Sequence, residues 1–154
     1  MGFLSEKKIL ITGLLSTRSI AYGIATAALR EGATLAFSYA GGEKIEKRVK
    51  ELAKDFNTDL VLPCDVGSDA QIESLANSLK KEWGIIDGLV HSIAFAPRES
   101  LSGQYLDSVS RDSFQIAHDI SSYSFSALAK ATRPLMLNRH ASLLALTYLG
   151  SQRA

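Results

Sequence analysis

The residues best placed to do chemistry sit in one glycine-containing turn, Gly13-Leu14-Leu15-Ser16-Thr17-Arg18-Ser19-Ile20-Ala21-Tyr22-Gly23. Gly13 follows a β-branched apolar run and lets the chain turn sharply. A helix that starts near Ile20 points its first amides at an anion such as a pyrophosphate, and Ser19 adds a hydroxyl donor there. Ala21 and Gly23 are small enough for that helix to lie close to a sheet. The three-glycine G-x-G-x-x-G spacing is absent, so the turn alone also fits a structural role in another α/β protein. Tyr123 and Lys130 are a second pair with chemical potential, since seven residues is about two helical turns. His91, His118 and His140 fall in an expected strand, helix and polar turn without ligand spacing, so no metal is expected. His118-Asp119 reads as a structural polar pair near a helix start.

These residues must be positioned by strands and helices that alternate from end to end. Residues 8–12, 34–39, 59–64, 87–92 and 141–148 read as strands, and residues 20–30, 43–55 and 113–136 as helices. A further helix precedes Trp83-Gly84, announced by Ser68 and Gln71 in capping-box spacing. A loop from residue 93 to about 107 is long enough to expect function. This alternation predicts an α/β fold with a doubly wound, mainly parallel sheet of the Rossmann type and ligands at the carboxyl ends of its strands. Residues 1–154 read as a single dinucleotide-binding domain, incomplete at its C-terminal side because it stops after the fifth strand.

Composition narrows the function classes. The 154 residues are 46% hydrophobic and 21% charged, which is ordinary for a globular protein. Seventeen basic residues face 16 acidic ones, for a net charge of +1. The densest basic stretch, Lys44, Lys47, Arg48 and Lys50, is interleaved with Glu43, Glu46 and Glu51 and reads as a solvated helix face. Nucleic acid and anionic membranes are therefore not expected partners. Cys64 is the sole cysteine, which excludes an internal disulfide and is compatible with a reducing compartment. No apolar run approaches the roughly 18 residues of a membrane span, and the polar start at residues 1–8 is no secretory leader, so a cytoplasmic location is expected.

The turn with Gly13, Ser19, Ala21 and Gly23 resembles that of the divergent short-chain dehydrogenase/reductases that include the bacterial NADH-dependent enoyl-acyl-carrier-protein reductases. The resemblance continues in order through Met1-Gly2-Phe3-Leu4, Cys64-Asp65-Val66, residues 91–97 (HSIAFAP), residues 117–121 (AHDIS) and residues 146–150 (LTYLG), and so covers the whole chain. It implies that Gly13, Ser19 and Ile20 belong to the cofactor site, with Asp65 accepting from the adenine amino group and Val66 shielding the ring. Asp65 as a mere cap of the next helix remains the alternative. It implies that the backbone of Ser92, Ile93 and Ala94 lines the cofactor at the switch-point crevice. Ala94 stands where the family commonly has glycine, a modest narrowing. Phe95, Ala96 and Leu101 would border the acyl substrate, although Phe95 and Leu101 could simply be core side chains.

The resemblance also implies an activity. Enzymes of this kind pass hydride from NADH to the β-carbon of a trans-2-enoyl thioester on acyl carrier protein, in type II fatty-acid synthesis, as homotetramers. A tyrosine hydroxyl stabilises the enolate, an oxyanion-type role, and a lysine seven residues later holds the cofactor ribose. Tyr148 resembles the first of two active-site tyrosines, whereas the second and its lysine are expected beyond Ala154. Tyr123 and Lys130 precede the fifth strand rather than follow it, so they are read as a decoy within a subunit-contact helix. The second strand ends Ser38-Tyr39-Ala40-Gly41-Gly42, with neither an acid for the ribose 2′-hydroxyl nor an arginine for a 2′-phosphate. NADH is thereby favoured over NADPH. Two alternatives stay open: a nucleotide-binding or assembly module without activity of its own, and another short-chain reductase, such as a ketoacyl reductase, which residues 91–94 disfavour.

Overall fold

Alternation along the strands decides the architecture. In β1 (Lys8–Thr12), Leu10 and Ile11 are fully buried yet point to opposite faces, because successive side chains in a strand alternate. Both faces must then be covered by helices, the condition under which parallel sheets occur. The computed structural model describes residues 2–153. It contains one five-stranded parallel sheet in the order β3-β2-β1-β4-β5, built with β2 (Thr34–Tyr39), β3 (Val61–Pro63), β4 (Gly88–His91) and β5 (Ser142–Ala145). The expected doubly wound α/β fold is the one observed.

Helices α1 (Ile20–Arg30) and α2 (Glu43–Ala53) cover one face, packing Ala21, Ala25, Ala28, Val49 and Ala53 against Ile11, Leu35 and Phe37. The alanine stripe of α1 lets its axis approach the sheet closely. Helix α3 (Asp69–Trp83) covers the other face with α6 (Ser124–Met136), where Ile72, Leu75, Leu79, Leu128 and Leu135 meet Leu10, Ala36 and Leu89. Each such large side chain taken fully out of water contributes roughly 1.5–3 kcal/mol.

The helix ends follow from local chemistry. Past α1, Gly32 at φ +90° lets its own N–H reach Leu29 O and the Ala33 N–H reach Ala28 O, closing a Schellman turn. Gly2 lies against that same end, where a Cβ would fall 2.2 Å from Glu31 O. At α3 the expected capping box is half formed. Ser68 Oγ accepts from the Gln71 N–H, but the Gln71 side chain turns away and accepts from the Asp65 N–H at 2.9 Å.

Several expected boundaries move. Strand β3 spans only Val61–Pro63, and the bonds to β2 beyond it, Phe37 N–H to Leu60 O and Cys64 N–H to Tyr39 O, need no donor from Pro63. Strand β5 is four residues rather than eight, and α2 gives way to a 3₁₀ turn at Lys54–Phe56. The loop after β4 is not structureless: it holds a 3₁₀ turn (Arg98–Leu101) and a one-turn helix, α4 (Tyr105–Ser108). The long helix expected over residues 113–136 starts earlier, with α5 (Arg111–His118) behind a full capping box of Ser110 and Ser113. It is then interrupted by a π-helical turn, Asp119–Tyr123, before α6. His118 thus closes α5 rather than opening a helix, and its ring stacks on Phe114 at 6.2 Å.

Candidate active site

Strands β1 and β4 pair in register from Ile9 opposite Gly88 to Ile11 opposite Val90, and then they part. The bond that closes the seam comes from a side chain. The buried Thr12 Oγ1 donates to Val90 O at 3.0 Å and accepts from the Ser92 N–H at 3.1 Å. Beyond it, Gly13 sits at φ +81°, where a Cβ would fall 1.8 Å from Ser92 O. Only glycine tolerates both that dihedral and that approach. The two chains then diverge around a groove of about 340 Å³ at the carboxyl ends of the strands.

Gly13, Leu15, Ser38, Tyr39, Ala40, Cys64, Asp65, Val66, Ser92, Ile93, Ala94, Phe95 and Ile120 form the walls. The ends of all four strands β1 to β4 therefore contribute, as expected where the strand order reverses. Asp65 Oδ1 accepts from the Gly67 N–H at 2.9 Å, and Oδ2 has no protein partner among the described residues. The carboxylate does not cap α3, a task done by Ser68. Beneath it, burial and then the neighbouring Asp65 charge push the Cys64 thiol up to about 11, so it stays protonated and behaves as an apolar wall. At the far end of β2, burial first and a hydrogen bond to Glu46 second raise the Tyr39 phenol.

Phe95 and the end of β4 are held by the π turn and the start of α6. His91 is buried, and its Nε2 lies 2.7 Å from Ser124 Oγ. The one hydroxyl hydrogen of Ser124 is donated to Ile120 O at 2.7 Å, so Nε2–H is the donor in this pair. Burial lowers the His91 value from its usual 6.5 and keeps the ring neutral. The ring also meets Phe125 edge-on at 5.6 Å. Four residues along, Ser121 Oγ accepts from the Phe95 N–H at 2.9 Å and donates to Phe95 O at 3.0 Å.

Of the residues selected from sequence, Gly13, Asp65, Val66, Ser92, Ile93, Ala94 and Phe95 meet around this one groove. Ser19 and Ile20 stand at the start of α1 but do not line it. The Ser19 hydroxyl donates to Ser16 O at 2.6 Å rather than into the groove, and Ile20 is 66% exposed. The Ile20 and Ala21 N–H groups precede the first backbone bond of the helix, which Tyr22 donates to Ser19 O. Ala96 and Leu101 lie outside the groove walls, Leu101 at 73% exposure. Tyr148 follows β5, is also exposed and is not among the lining residues. Tyr123 and Lys130 share a different depression with Asp69, Ile72 and Glu73 on the outside of α3 and α6, away from the strand ends. Thr12, Ile120, Ser121 and Ser124 were not selected from sequence. A β-branched threonine at a strand end and serines inside a helix pattern are ordinary in sequence, and only their partners reveal the role.

The comparisons with known proteins follow this geometry. The sequence model of the family described as "Enoyl-(Acyl carrier protein) reductase" matches residues 13–154. The curated NADH enoyl-[acyl-carrier-protein] reductases of Neisseria meningitidis and Escherichia coli are each 55% identical over all 154 residues, which span 59% and 58% of their lengths. The chain thus spans less than two thirds of these relatives. A solved enoyl-[acyl-carrier-protein] reductase (NADH) from Aquifex aeolicus superposes with a TM-score of 0.95 at 49% identity, over 99% of this chain and 65% of that one. The Anaplasma phagocytophilum reductase, solved in complex with NAD, gives 0.92 at 36% identity over 100% of this chain and 58% of that one. With the family sequence matched from the Gly13 turn onward and the backbone matched throughout, the chain belongs to the enoyl-(acyl carrier protein) reductase family.

Proposed function

We propose that this chain is the dinucleotide-binding part, a single domain, of an NADH-dependent enoyl-acyl-carrier-protein reductase of type II fatty-acid synthesis, working in the cytoplasm within a homotetramer. The observation that carries the proposal is the groove at the β1–β4 switch point, whose walls Gly13, Asp65, Val66 and Ser92 to Ala94 are the residues expected to hold the cofactor. The absence of a Cβ at Gly13 lets Ser92 O close against the turn, which holds the end of β1 beside β4 at the groove. The N–H groups of Ile20 and Ala21 supply donors at the positive end of α1, with Ser19 shaping that turn. The unpartnered Oδ2 of Asp65 suits an adenine amino donor, and the buried Val66 beside it would shield the ring. No lysine or arginine lines the groove, which favours NADH over NADPH.

Bound NADH supplies the hydride. The wall from Ser92 to Ala94 would orient the nicotinamide end and exclude water from one side; Phe95 at the groove edge would border the acyl thioester, with Ala96 and Leu101 following outside the groove walls in the same loop. Tyr148, beyond the carboxyl end of β5, would approach the thioester carbonyl as the enolate forms. Incubation of the complete gene product with NADH and a crotonyl thioester should consume NADH and yield the saturated thioester. Absence of turnover with every enoyl thioester tried would refute the reading.

A second reading, that these 154 residues bind the nucleotide without reacting, is favoured by the exposure of Tyr148 away from the groove. For the isolated chain it predicts saturable NADH binding without hydride loss on adding substrate.

A further inference from the structure

The wall residues Ser92, Ile93 and Ala94 are strung between two polar ties. On one side, buried His91 donates to Ser124 at the first residue of α6. On the other, the hydroxyl of Ser121 accepts from the Phe95 N–H and donates to the Phe95 C=O. The two serines are three residues apart, across the end of the π turn, and Ile120 beside them is itself part of the wall. One helical turn therefore fixes both ends of the strip that borders the groove. A serine hydroxyl has one hydrogen and two lone pairs, so a single Ser121 satisfies the donor and the acceptor of the two peptide groups that flank the Phe95 Cα. That restrains both backbone dihedrals of Phe95 as well as its position. π turns are maintained at some cost in helix regularity and concentrate at functional sites. Here the turn presents Ser121 and Ile120 to the groove edge while Ser124 remains under β4.

We propose that Ser121 is a positioning residue for the substrate end of the groove, acting through the backbone of Phe95 to set the path of residues 92 to 95. This rests on the reductase reading above. Ser121 touches neither the adenine side, built from Asp65 and Val66, nor the Gly13 turn. Its loss should leave nucleotide binding in place and misplace the reacting end, where displacements near 1 Å cost up to about 100-fold in rate.

The test uses the complete gene product as wild type, Ser121→Ala and Ser121→Thr, with NADH and a crotonyl thioester. Ser121→Ala should lower kcat/KM for the thioester by about 10- to 100-fold while the Kd for NADH, followed by nucleotide fluorescence, stays within about twofold. Ser121→Thr, which keeps the hydroxyl, should recover most of the loss. Wild-type kinetics in Ser121→Ala overturn the proposal. So does a joint loss of NADH affinity, melting temperature and activity, or a threonine variant no better than alanine. If the wild type itself fails to reduce any enoyl thioester, the reductase reading falls. Hydrogen exchange then decides the role of Ser121: faster exchange at the Phe95 amide in Ser121→Ala, slowed again in Ser121→Thr, supports the tether, and equal exchange in all three overturns it.

Discussion

Gly13 carries two demands that meet at a single Cα. Its φ of +81° is costly for any L side chain, and the space a Cβ would take is already held by Ser92 O. Gly13→Ala must therefore push the β1–α1 turn away from β4, where Gly13 and Ser92 O now lie in close contact. The expected outcome is loss of saturable NADH binding in a titration, with a melting temperature lowered by about 2–4 °C for each kcal/mol of strain. An alanine variant that binds NADH like the wild type would show that the close approach is dispensable. Gly13 was legible in sequence because glycine after an apolar run has few other uses. Thr12 was not, because its hydroxyl serves Val90 and Ser92, some 80 positions away, and that adjacency exists only once the sheet is wound. Ser19 shows the opposite error. Its position at the helix start was read correctly, but its hydroxyl is committed to Ser16.

At the scale of elements, the amino ends of the strands are joined by a charged hub rather than by a loop. Asp87, just before β4, accepts from the Lys8 N–H at 3.0 Å and pairs with Arg139 at 3.0 Å and Lys7 at 3.4 Å, its side chain only 3% exposed. Burial alone would raise its carboxyl, but the Lys8 N–H, the Arg139 and Lys7 charges and the Arg139 hydrogen bonds outweigh that and hold it below the usual carboxylate range. A carboxylate lowered in the folded state contributes stability above its unfolded value, near 3.8, and loses it as the pH falls through the lower folded value. Asp87→Ala leaves the Lys8 N–H and the partly exposed Arg139 and Lys7 without their partner, so it should cost about 1–3 kcal/mol near neutral pH. Melting followed against pH should show that cost shrinking in strong acid. A cost independent of pH would mean that packing, not charge, makes the contribution.

The elements themselves were readable where periodicity was uninterrupted: β1, β2, α1 and α3 lie where their patterns place them. Sequence gave no sign of the π turn, because an inserted residue leaves Asp119-Ile120-Ser121-Ser122-Tyr123 looking like any polar stretch of helix. The 3₁₀ turn and α4 within the loop after β4 were missed for a related reason, being too short to show a period.

For the whole molecule, the sheet is finished on both faces in the middle and open at β5. Leu143 and Leu144 point to opposite faces and are 44% and 47% exposed, and a groove of about 400 Å³ runs between β5, α1 and Phe3. An apolar edge strand of this kind is a template for pairing with another chain. The isolated 154-residue chain should therefore self-associate in sedimentation runs as concentration rises, and Leu144→Lys should shift it toward monomer. A wild-type chain that stays monomeric at high concentration would remove the argument.

The winding order and the groove's place in it were both legible, since alternating strands and helices with right-handed crossovers leave few arrangements. The placement of Tyr148 outside the groove was not, because sequence order says nothing about how far a strand end stands from its neighbour.

The Asp87 hub and the Gly13 turn stand at opposite ends of β1, whose five residues span about 16 Å. Perturbations farther apart than about 10 Å with no shared partner contribute additively. The sheet thus behaves as a foundation and a rim joined by stiff posts. Stability changes made at Lys7, Asp87 or Arg139 should therefore add to those made at Gly13 instead of coupling with them.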